Sequence, residues 1–361
     1  MAAGLRLTID LGKLAGNWRR LAAVAAPAEC AAAVKADAYG IGVVPATRAL
    51  AAAGCRTFFV AVPDEGIAVR QALPDAAVYV LNGFFADAAD DYRRHRLWPV
   101  LGNPGELSAW KAWRNDEAAA LHVDTGMNRL GLAVGEADTI DEADLAACGV
   151  DLVMSHLACA DEPAHPLNAL QLQRFSAISA RFPSARRSLA NSAGIHHGAA
   201  WHFDLVRPGI ALYGGASHPD ARSDPVVTAE ARILQVRDAR KGESVGYGAT
   251  ETLQRDCRIA VLSAGYADGY LRAAGSSDTV SGADVAIGGH AAPLVGRVSM
   301  DLIAADVTDI PDPVLQTAGW AELFGPTIGI DHVAEQAGTI AYEILTGLSR
   351  RAERIYIGDG S

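Results

Sequence analysis

Short apolar runs alternate with longer amphipathic segments over the first two thirds of the chain. The runs are rich in alanine, valine, leucine and phenylalanine, which is typical of parallel strands that are buried on both faces. Eight runs have this character: 30–35, 58–62, 77–81, 97–101, 120–124, 151–156, 188–191 and 204–207. Because strands that alternate with helices pair in parallel, eight such units predict a closed (β/α)8 barrel.

Between several of these runs, apolar residues recur with helical spacing. The clearest predicted helices are 45–53, 64–72, 104–113 and 169–182. Pro104 suits the first position of a helix, and Gly54 follows a helix where a glycine often ends it.

The pattern changes near Asp224. After it, strand-like runs at 226–236, 259–265, 283–288 and 302–308 follow one another closely, and helical spacing is convincing only over 330–348. Close strands with glycine turns predict a mainly-β domain. We therefore expect an α/β chain with an N-terminal (β/α)8 TIM barrel over 1–224 and a mainly-β domain over 225–361. A first strand at about 5–11 is expected to pair with the second domain.

Composition narrows the classes of partner. The chain has 361 residues and a net charge of −11 without a basic block, so nucleic acid and anionic membranes are not expected partners. The apolar stretch 21–34 is interrupted by Pro27 and Glu29, which argues against a membrane span. The five cysteines form no C-x-x-C pair, and charged residues come early in the sequence. We expect a cytoplasmic protein with reduced thiols.

Polar residues follow the ends of several predicted strands. Lys35, His156, Asn191, Ser192 and Arg207 occupy such positions. Any one of them alone is typical of a surface or loop residue, but the C-terminal ends of barrel strands lie on one face. A lysine that loses hydration has a lowered pKa and a nucleophilic amine, which favours Schiff-base chemistry with a carbonyl.

Pyridoxal phosphate is a carbonyl of this kind, and it also requires a phosphate site. The segments N-S-A-G at Asn191 and R-P-G-I at Arg207 offer small residues, backbone N–H groups and a hydroxyl. Barrels often bind phosphate with such segments after their last strands.

A series of motifs then extends along nearly the whole chain. They are V-K-A-D-A-Y-G at Val34, D-T-G-M-N-R-L-G at Asp124, S-H-L-A-C-A-D-E around His156, N-S-A-G at Asn191, R-P-G-I-A-L-Y-G at Arg207, G-Y-A-D-G-Y at Gly265, V-G-R-V-S-M-D at Val295 and G-T-I-A-Y-E-I-L-T-G-L at Gly338. In this order they resemble bacterial alanine racemases, which are pyridoxal phosphate enzymes of fold type III.

The resemblance implies a role for each matching residue. Lys35 would hold the cofactor covalently, and Tyr39, Asn191, Ser192, Gly209, Ile210 and Tyr342 would bind it, mostly at its phosphate. Arg207 would face the pyridine nitrogen, His156 would pack on the ring, and Arg129 would reach the phenolic oxygen and the substrate carboxylate. Met300 and Asp301 would contact the substrate, Asp161 would lie at the substrate entrance, and no metal is implied.

The resemblance also implies a two-base racemisation of alanine in a homodimer with shared sites, which supplies D-alanine for peptidoglycan. Lys35 would take the α-proton of D-alanine, and Tyr266 of the partner subunit would take that of L-alanine. An arginine at the pyridine nitrogen keeps its own proton, so we expect Arg207 to suppress transamination.

Several positions depart from the family pattern, including the end S-R-R-A-E-R, where the family commonly has R-V-P-R. His122 replaces a lysine that is carbamylated in many members, so we expect an anion, a water or nothing beside Arg129 in its place. Asn128, Ser299 and Leu302 also differ, with small expected effects. A racemase for serine, lysine or a broad set of amino acids, a non-catalytic pyridoxal phosphate carrier and, less favoured, a decarboxylase remain alternatives.

Overall fold

The computed structural model describes residues 3–114, 116–219 and 221–358. The outer limits of the two predicted domains, residues 1 and 361, lie outside this part of the chain. Contacts between residues divide the chain into two compact units. The barrel unit contains Leu14–Leu212 and Ala216–Ser223, and the β unit contains the N-terminal residues through Lys13, Tyr213–Gly215 and the chain from Asp224 onward.

The helices and strands are numbered in chain order. The strands are β1 Leu5–Asp10, β2 Glu29–Cys30, β3 Ala32–Ala33, β4 Thr57–Val60, β5 Ala77–Val80, β6 Trp98–Leu101, β7 Ala119–Asp124, β8 Leu132–Ala133, β9 Val150–Met154, β10 Arg186–Ser188, β11 Leu205–Val206, β12 Val227–Ala239, β13 Ser244–Val245, β14 Glu251–Thr252, β15 Cys257–Leu262, β16 Asp284–Ile287, β17 His290–Pro293, β18 Ile303–Asp306, β19 Trp320–Phe324 and β20 Glu353–Ile357. The helices are α1 Leu11–Ala25, α2 Lys35–Tyr39, α3 Val43–Ala53, α4 Pro63–Ala72, α5 Ala89–Arg94, α6 Pro104–Trp113, α7 Val134–Ala137, α8 Glu142–Cys148, α9 Pro166–Ser179, α10 Asp312–Thr317, α11 Ile330–Gln336 and α12 Ala341–Thr346.

The barrel unit is built on a curled parallel sheet. Its strand order is β10-β9-β7-β6-β5-β4-β3, and β11 pairs in parallel with β2, which leads directly into β3. Backbone hydrogen bonds from Asp204 to Arg187 (3.0 Å) and from Arg207 to Ala190 (2.9 Å) connect β11 to the β10 side. The predicted parallel barrel is confirmed, and each of the eight predicted runs contributes to the ring in the described residues.

The interior of the ring is filled by side chains that successive strands supply. These buried residues are Ala31, Phe59, Tyr79, Val100, Ala120, Leu152, Met154 and Leu205. Phe59 stacks on Tyr79 with ring centroids 5.0 Å apart. Since the interior is filled, the chemistry of the barrel has to lie at its ends.

A polar network occupies the N-terminal ends of the barrel strands. The Tyr79 hydroxyl donates to Asp151 Oδ1 at 2.6 Å, and Arg186 donates to Glu29 Oε2 at 2.8 Å and to Asp151 Oδ2 at 3.3 Å. The Thr57 hydroxyl donates to the other oxygen of Glu29. These groups satisfy one another, as expected for the stabilising end of a barrel.

The predicted helices have their expected positions, apart from one. Helix α6 has the predicted bounds, and its first turn is capped by Asn103 Oδ1, which accepts from the Glu106 N–H at 2.9 Å. The prediction of one helix over 330–348 is wrong: α11 and α12 are separate because Gly338 adopts a left-handed φ of 65°. The short helix α10, next to Pro311, was not predicted.

The β unit is mostly antiparallel. Its main sheet has the order β17-β16-β19-β12-β1-β20, and β15 pairs with β12 and β18. Strand β1 pairs antiparallel with β12 and parallel with β20. The predicted mainly-β domain is therefore confirmed. No helix in the described residues combines the length and apolar character that a bilayer crossing requires.

Candidate active site

Lys35 lies where the first barrel strand ends. It opens α2, in which Ala36, Asp37, Ala38 and Tyr39 all have φ between 53° and 54°. This is a left-handed helical turn of non-glycine residues, closed by the Gly40 N–H on the Ala36 carbonyl at 2.8 Å. Such a conformation costs about 1–2 kcal/mol for each L-residue, so neighbouring groups have to hold it.

Two carboxylates hold the turn. Glu65 accepts from the Ala36 N–H at 2.6 Å with one oxygen and from the Ala61 N–H at 2.8 Å with the other. Asp37 accepts from the Val43 N–H at 2.7 Å, where α3 begins. The backbone that carries the amine is therefore tied to α3, to α4 and to the end of β4.

The surroundings of Lys35 lower the pKa of its amine. Burial is the largest cause, the positive charge of Arg129 adds to it, and Glu65 opposes it. A larger fraction of the amine is therefore neutral at a given pH, which is the form that attacks a carbonyl or accepts a proton.

Next to this turn, hydroxyl and N–H groups converge. Ser192 Oγ accepts from the Gly209 N–H at 2.8 Å and from the Ala211 N–H at 3.4 Å. A Cβ on Gly209 would lie 2.2 Å from the Tyr39 hydroxyl, so only glycine permits this approach. Ile210 follows in a 3₁₀ turn, Ile210–Leu212. Two hydroxyls beside backbone N–H groups fit a phosphate.

Arg207 is buried at the end of β11 and is oriented by its neighbours. Its guanidinium donates to Ser188 Oγ and, at 2.5 Å, to the Ser155 carbonyl, and Nη2 lies 3.5 Å from Nδ1 of His156. Burial lowers the pKa of Arg207 to about 9, which keeps the group charged at neutral pH. Burial and the charge of Arg207 lower the pKa of His156 well below 6.5, so His156 is neutral.

The loop after β7 carries Arg129 and begins after Asp124, while His122 lies within the strand. Asp124 Oδ1 accepts from the N–H groups of Gly126 (2.8 Å) and Met127 (2.7 Å), which closes the loop tightly. Asn128 has a φ of 54°, a conformation that asparagine tolerates better than most residues. Burial, with the charge of Arg207, lowers the pKa of His122 to about 4. Position 122 therefore supplies no charge to Arg129 at neutral pH.

Two residues that support this site were not predicted from the sequence. One is Glu65, and the other is Gln171, which is buried on α9. The Gln171 amide donates to Thr125 Oγ1 (3.3 Å) and to the His156 carbonyl (2.9 Å). Its oxygen accepts from the Ala158 N–H (2.9 Å). Gln171 thus joins the loops of Arg129 and His156. An amide at a buried helix position was the only available signal.

Two predicted residues lie at the edge of this group. Asn191 accepts from the Gly194 N–H at 3.0 Å, which shapes the N-S-A-G turn around Ser192. Asp161 is exposed in the loop that follows His156.

The remaining predicted residues belong to the β unit. Tyr266 opens a 3₁₀ turn, Tyr266–Asp268, and its side chain is 44% exposed. The N–H groups of Tyr266 and Ala267 donate to the carbonyls of Ser299 (3.1 Å) and Met300 (3.0 Å). The structure therefore brings Tyr266 beside Met300 and Asp301, while Tyr342 lies on α12.

The chain matches known proteins over nearly its full length. Family models described as alanine racemase, N-terminal domain, and alanine racemase, C-terminal domain, match residues 9–217 and 226–356. A curated alanine racemase of Rhizobium meliloti is 47% identical over 99% of this chain and 98% of its own length. A biosynthetic alanine racemase of Agrobacterium fabrum is 45% identical over 98% and 94%. A Bartonella henselae alanine racemase, solved with covalently bound pyridoxal phosphate, is 38% identical with a TM-score of 0.91, covering 99% of this chain and 100% of that chain.

Proposed function

Because the chain belongs to the alanine racemase family, we propose that Lys35 and Tyr266 act as the two bases with which it interconverts L-alanine and D-alanine. The chain is an isomerase that uses pyridoxal 5′-phosphate, as its full-length relatives indicate. The observation that carries the proposal is the Lys35 amine, whose pKa is lowered at the end of a barrel strand beside a cradle that fits a phosphate. The names of the relatives do not favour a broader racemase or a non-catalytic carrier.

The residues of the barrel unit match the chemical parts of the cofactor. Lys35 would bind its carbonyl carbon covalently, Tyr39, Ser192, Gly209 and Ile210 would bind its phosphate, and Tyr342 would add to that set from the β unit. Asn191 shapes the phosphate turn, and His156 and Arg207 would lie against the ring and its nitrogen. When bound, the cofactor supplies an electron sink that stabilises negative charge at the substrate α-carbon.

Two protein groups would move the proton. The neutral Lys35 amine accepts the α-proton of D-alanine on one face, and the ammonium returns it in the reverse direction. Tyr266 does the same for L-alanine on the opposite face, so each turnover leaves one base protonated and the other deprotonated. A free phenol is only about 0.1% ionised at pH 7, so His156, held by Arg207, would help to stabilise the Tyr266 anion. Arg129, Met300 and Asp301 would bind the substrate, and Asp161 would lie at its entrance.

We further propose a homodimer in which the barrel unit of one subunit works with the β unit of the other, which includes the residues through Lys13. The exposed apolar side chains of the β unit support this: Tyr266, Met300 and Leu302 are 44%, 54% and 42% exposed. The backbone bonds between the Tyr266 turn and the Ser299–Met300 segment make these residues neighbours, and a contiguous exposed apolar patch is typical of an interaction site. A cytoplasmic enzyme that supplies D-alanine for peptidoglycan fits the biosynthetic name of the Agrobacterium relative.

Borohydride reduction tests the cofactor proposal. Treatment of the cofactor-saturated protein should fix the cofactor on Lys35 and abolish racemisation of alanine, and peptide mapping would locate the label. The other lysines, Lys13, Lys111 and Lys241, are internal controls. A label on one of them, or none at all, would overturn the assignment of Lys35.

Subunit mixing tests the shared site. Lys35→Ala and Tyr266→Phe subunits should each be inactive alone, but a mixed dimer with shared sites has one intact Lys35–Tyr266 pair. Random mixing should therefore restore about a quarter of wild-type racemisation. If each site used residues of a single subunit, mixing would restore no activity.

A further inference from the structure

An ion-pair cluster lies directly beneath the turn that carries Tyr266. Asp268, at the end of this turn, is buried, and both of its carboxylate oxygens accept from Arg351: Oδ1 from Nε at 2.6 Å and Oδ2 from Nη2 at 2.9 Å. The same Nη2 donates to Asp301 Oδ1 at 2.7 Å. One guanidinium therefore joins the turn of Tyr266 to the loop of Met300 and Asp301.

Backbone contacts make the arrangement stiff. Asp268 Oδ2 also accepts from the Gly265 N–H at 2.9 Å, and the Asp268 carbonyl accepts from the Ser349 N–H at 3.0 Å. A Cβ on Gly269 would lie 2.1 Å from the Gly347 carbonyl oxygen, so the turn rests closely on the segment that follows α12. Backbone bonds therefore keep the Tyr266 turn folded, and Arg351 adds the side-chain link that sets Asp268 relative to Asp301.

We propose that Arg351 is a positioning residue for racemisation, which fixes the Tyr266 turn relative to the Met300–Asp301 loop. The inference rests on the proposed role of Tyr266 as a base. A planar guanidinium donates from two nitrogens to the two oxygens of one carboxylate and still has an N–H for a second carboxylate; a lysine ammonium has its three donors on one nitrogen and lacks this fork. The Arg351 side chain is 50% exposed, so its ion pairs contribute geometry more than stability.

The test measures proton transfer on the two faces of the substrate separately. In heavy water, Lys35 can exchange the α-proton of D-alanine and return deuterium to the same face, without Tyr266. In Arg351→Met holoenzyme, racemisation should fall roughly 10- to 100-fold, because a base displaced by about 1 Å loses that much. Exchange of D-alanine with retention should stay within about threefold of wild type. Both rates can be followed by NMR in one sample.

Three further variants serve as controls for Arg351→Met. Arg351→Lys keeps the charge beside Asp268, so it protects the fold, yet it should also lower racemisation relative to retained exchange. Arg350→Met removes the exposed neighbouring charge and should change neither rate. Tyr266→Phe reports on the underlying mechanism: if it leaves racemisation unchanged, the two-base proposal itself fails.

One result would overturn the role of Arg351 but leave the two-base proposal intact. In that result Tyr266→Phe abolishes racemisation, while Arg351→Met leaves it within about twofold of wild type. Equal losses of racemisation and retained exchange in both Arg351 variants would also overturn it, because that pattern indicates general damage to the holoenzyme.

Discussion

The two proposed bases lie in differently built surroundings. Lys35 is half-buried on a left-handed turn of the barrel unit, where burial, Arg129 and Glu65 together set its pKa. Tyr266 stands 44% exposed on a short turn of the β unit, where Asp268 and Arg351 set its position. The barrel unit therefore supplies groups that shift the pKa of its proposed base, whereas the β unit supplies groups that hold its proposed base in position.

Both turns nevertheless depend on a carboxylate that accepts backbone N–H groups. Glu65 binds the N–H of Ala36, and Asp268 binds that of Gly265. The two carboxylates differ in their second interaction. Glu65 acts on the pKa of the Lys35 amine, whereas Asp268 forms an ion pair with Arg351. Charge changes in the barrel unit should therefore alter protonation, and those in the β unit should alter placement.

Loss of the phenol should produce the largest asymmetric effect. Tyr266→Phe is expected to lower racemisation by about 10²- to 10⁴-fold, the usual contribution of a general base. Exchange of D-alanine with retention, which needs only Lys35, should persist, as NMR in heavy water would show. Tyr247→Phe, which changes a 74% exposed tyrosine of the same unit, is the control. Equal loss of exchange and racemisation would contradict the division of faces.

The change of unfolding free energy with falling pH should show how far His122 is shielded from water. The pKa of His122 is lowered to about 4 in the folded chain, whereas an unfolded histidine titrates near 6.5. Between these values the unfolded chain binds the extra proton, so the stability conferred by a neutral His122 is present above pH 6.5 and is lost as pH falls towards 4.

Chemical denaturation at pH 7 and pH 4.5 measures this loss. The His122→Leu variant should lose about 2 kcal/mol less unfolding free energy than wild type between the two pH values. His290→Leu, at an exposed position, should behave like wild type. An identical loss in His122→Leu and wild type would show that His122 is more solvated than its burial implies.

The barrel was predictable because its signal is local. Each strand is a short apolar run, and Pro104 and Gly54 mark helix ends within a few residues, so α6 was predicted with its observed bounds. The prediction of one helix over 330–348 failed because a spacing pattern does not reveal that Gly338 takes a left-handed φ.

The supporting groups of both bases were not predictable for a different reason. Nothing in A-D-A-Y requires a left-handed turn, since Asp37 holds it only through the start of α3 and Glu65 holds it from another helix. Asp268 and Arg351 are 83 positions apart, so their pairing follows from the fold and not from a motif. The sequence motifs thus identified the candidate reacting groups, but not the groups that hold them.

Arg207 is expected to determine which of two reactions the barrel unit favours, racemisation or transamination. Replacement by Glu would place an acid where the buried guanidinium now faces Ser155 and His156. We expect the share of turnovers that end in transamination, measured as pyruvate, to rise about tenfold, because an acid can protonate the ring nitrogen and a guanidinium does not. Arg207→Lys keeps a positive charge, so it should slow racemisation without changing that share. A constant pyruvate fraction in Arg207→Glu would contradict this role.

The smallest expected effect concerns whether Glu65 acts on the charge of the Lys35 amine. Glu65→Gln can accept from only one of the Ala36 and Ala61 N–H groups, so unfolding free energy should fall by about 1 kcal/mol. Because Glu65 opposes the fall in the pKa of Lys35, its removal should lower that pKa further, which the pH dependence of borohydride-sensitive absorbance would report. Asp64→Asn, on the same turn of α4 but exposed, removes an equal charge and should do neither. If Glu65→Gln lost stability while the Lys35 titration stayed in place, Glu65 would act on placement alone, and the barrel base would then be held in the same way as Tyr266.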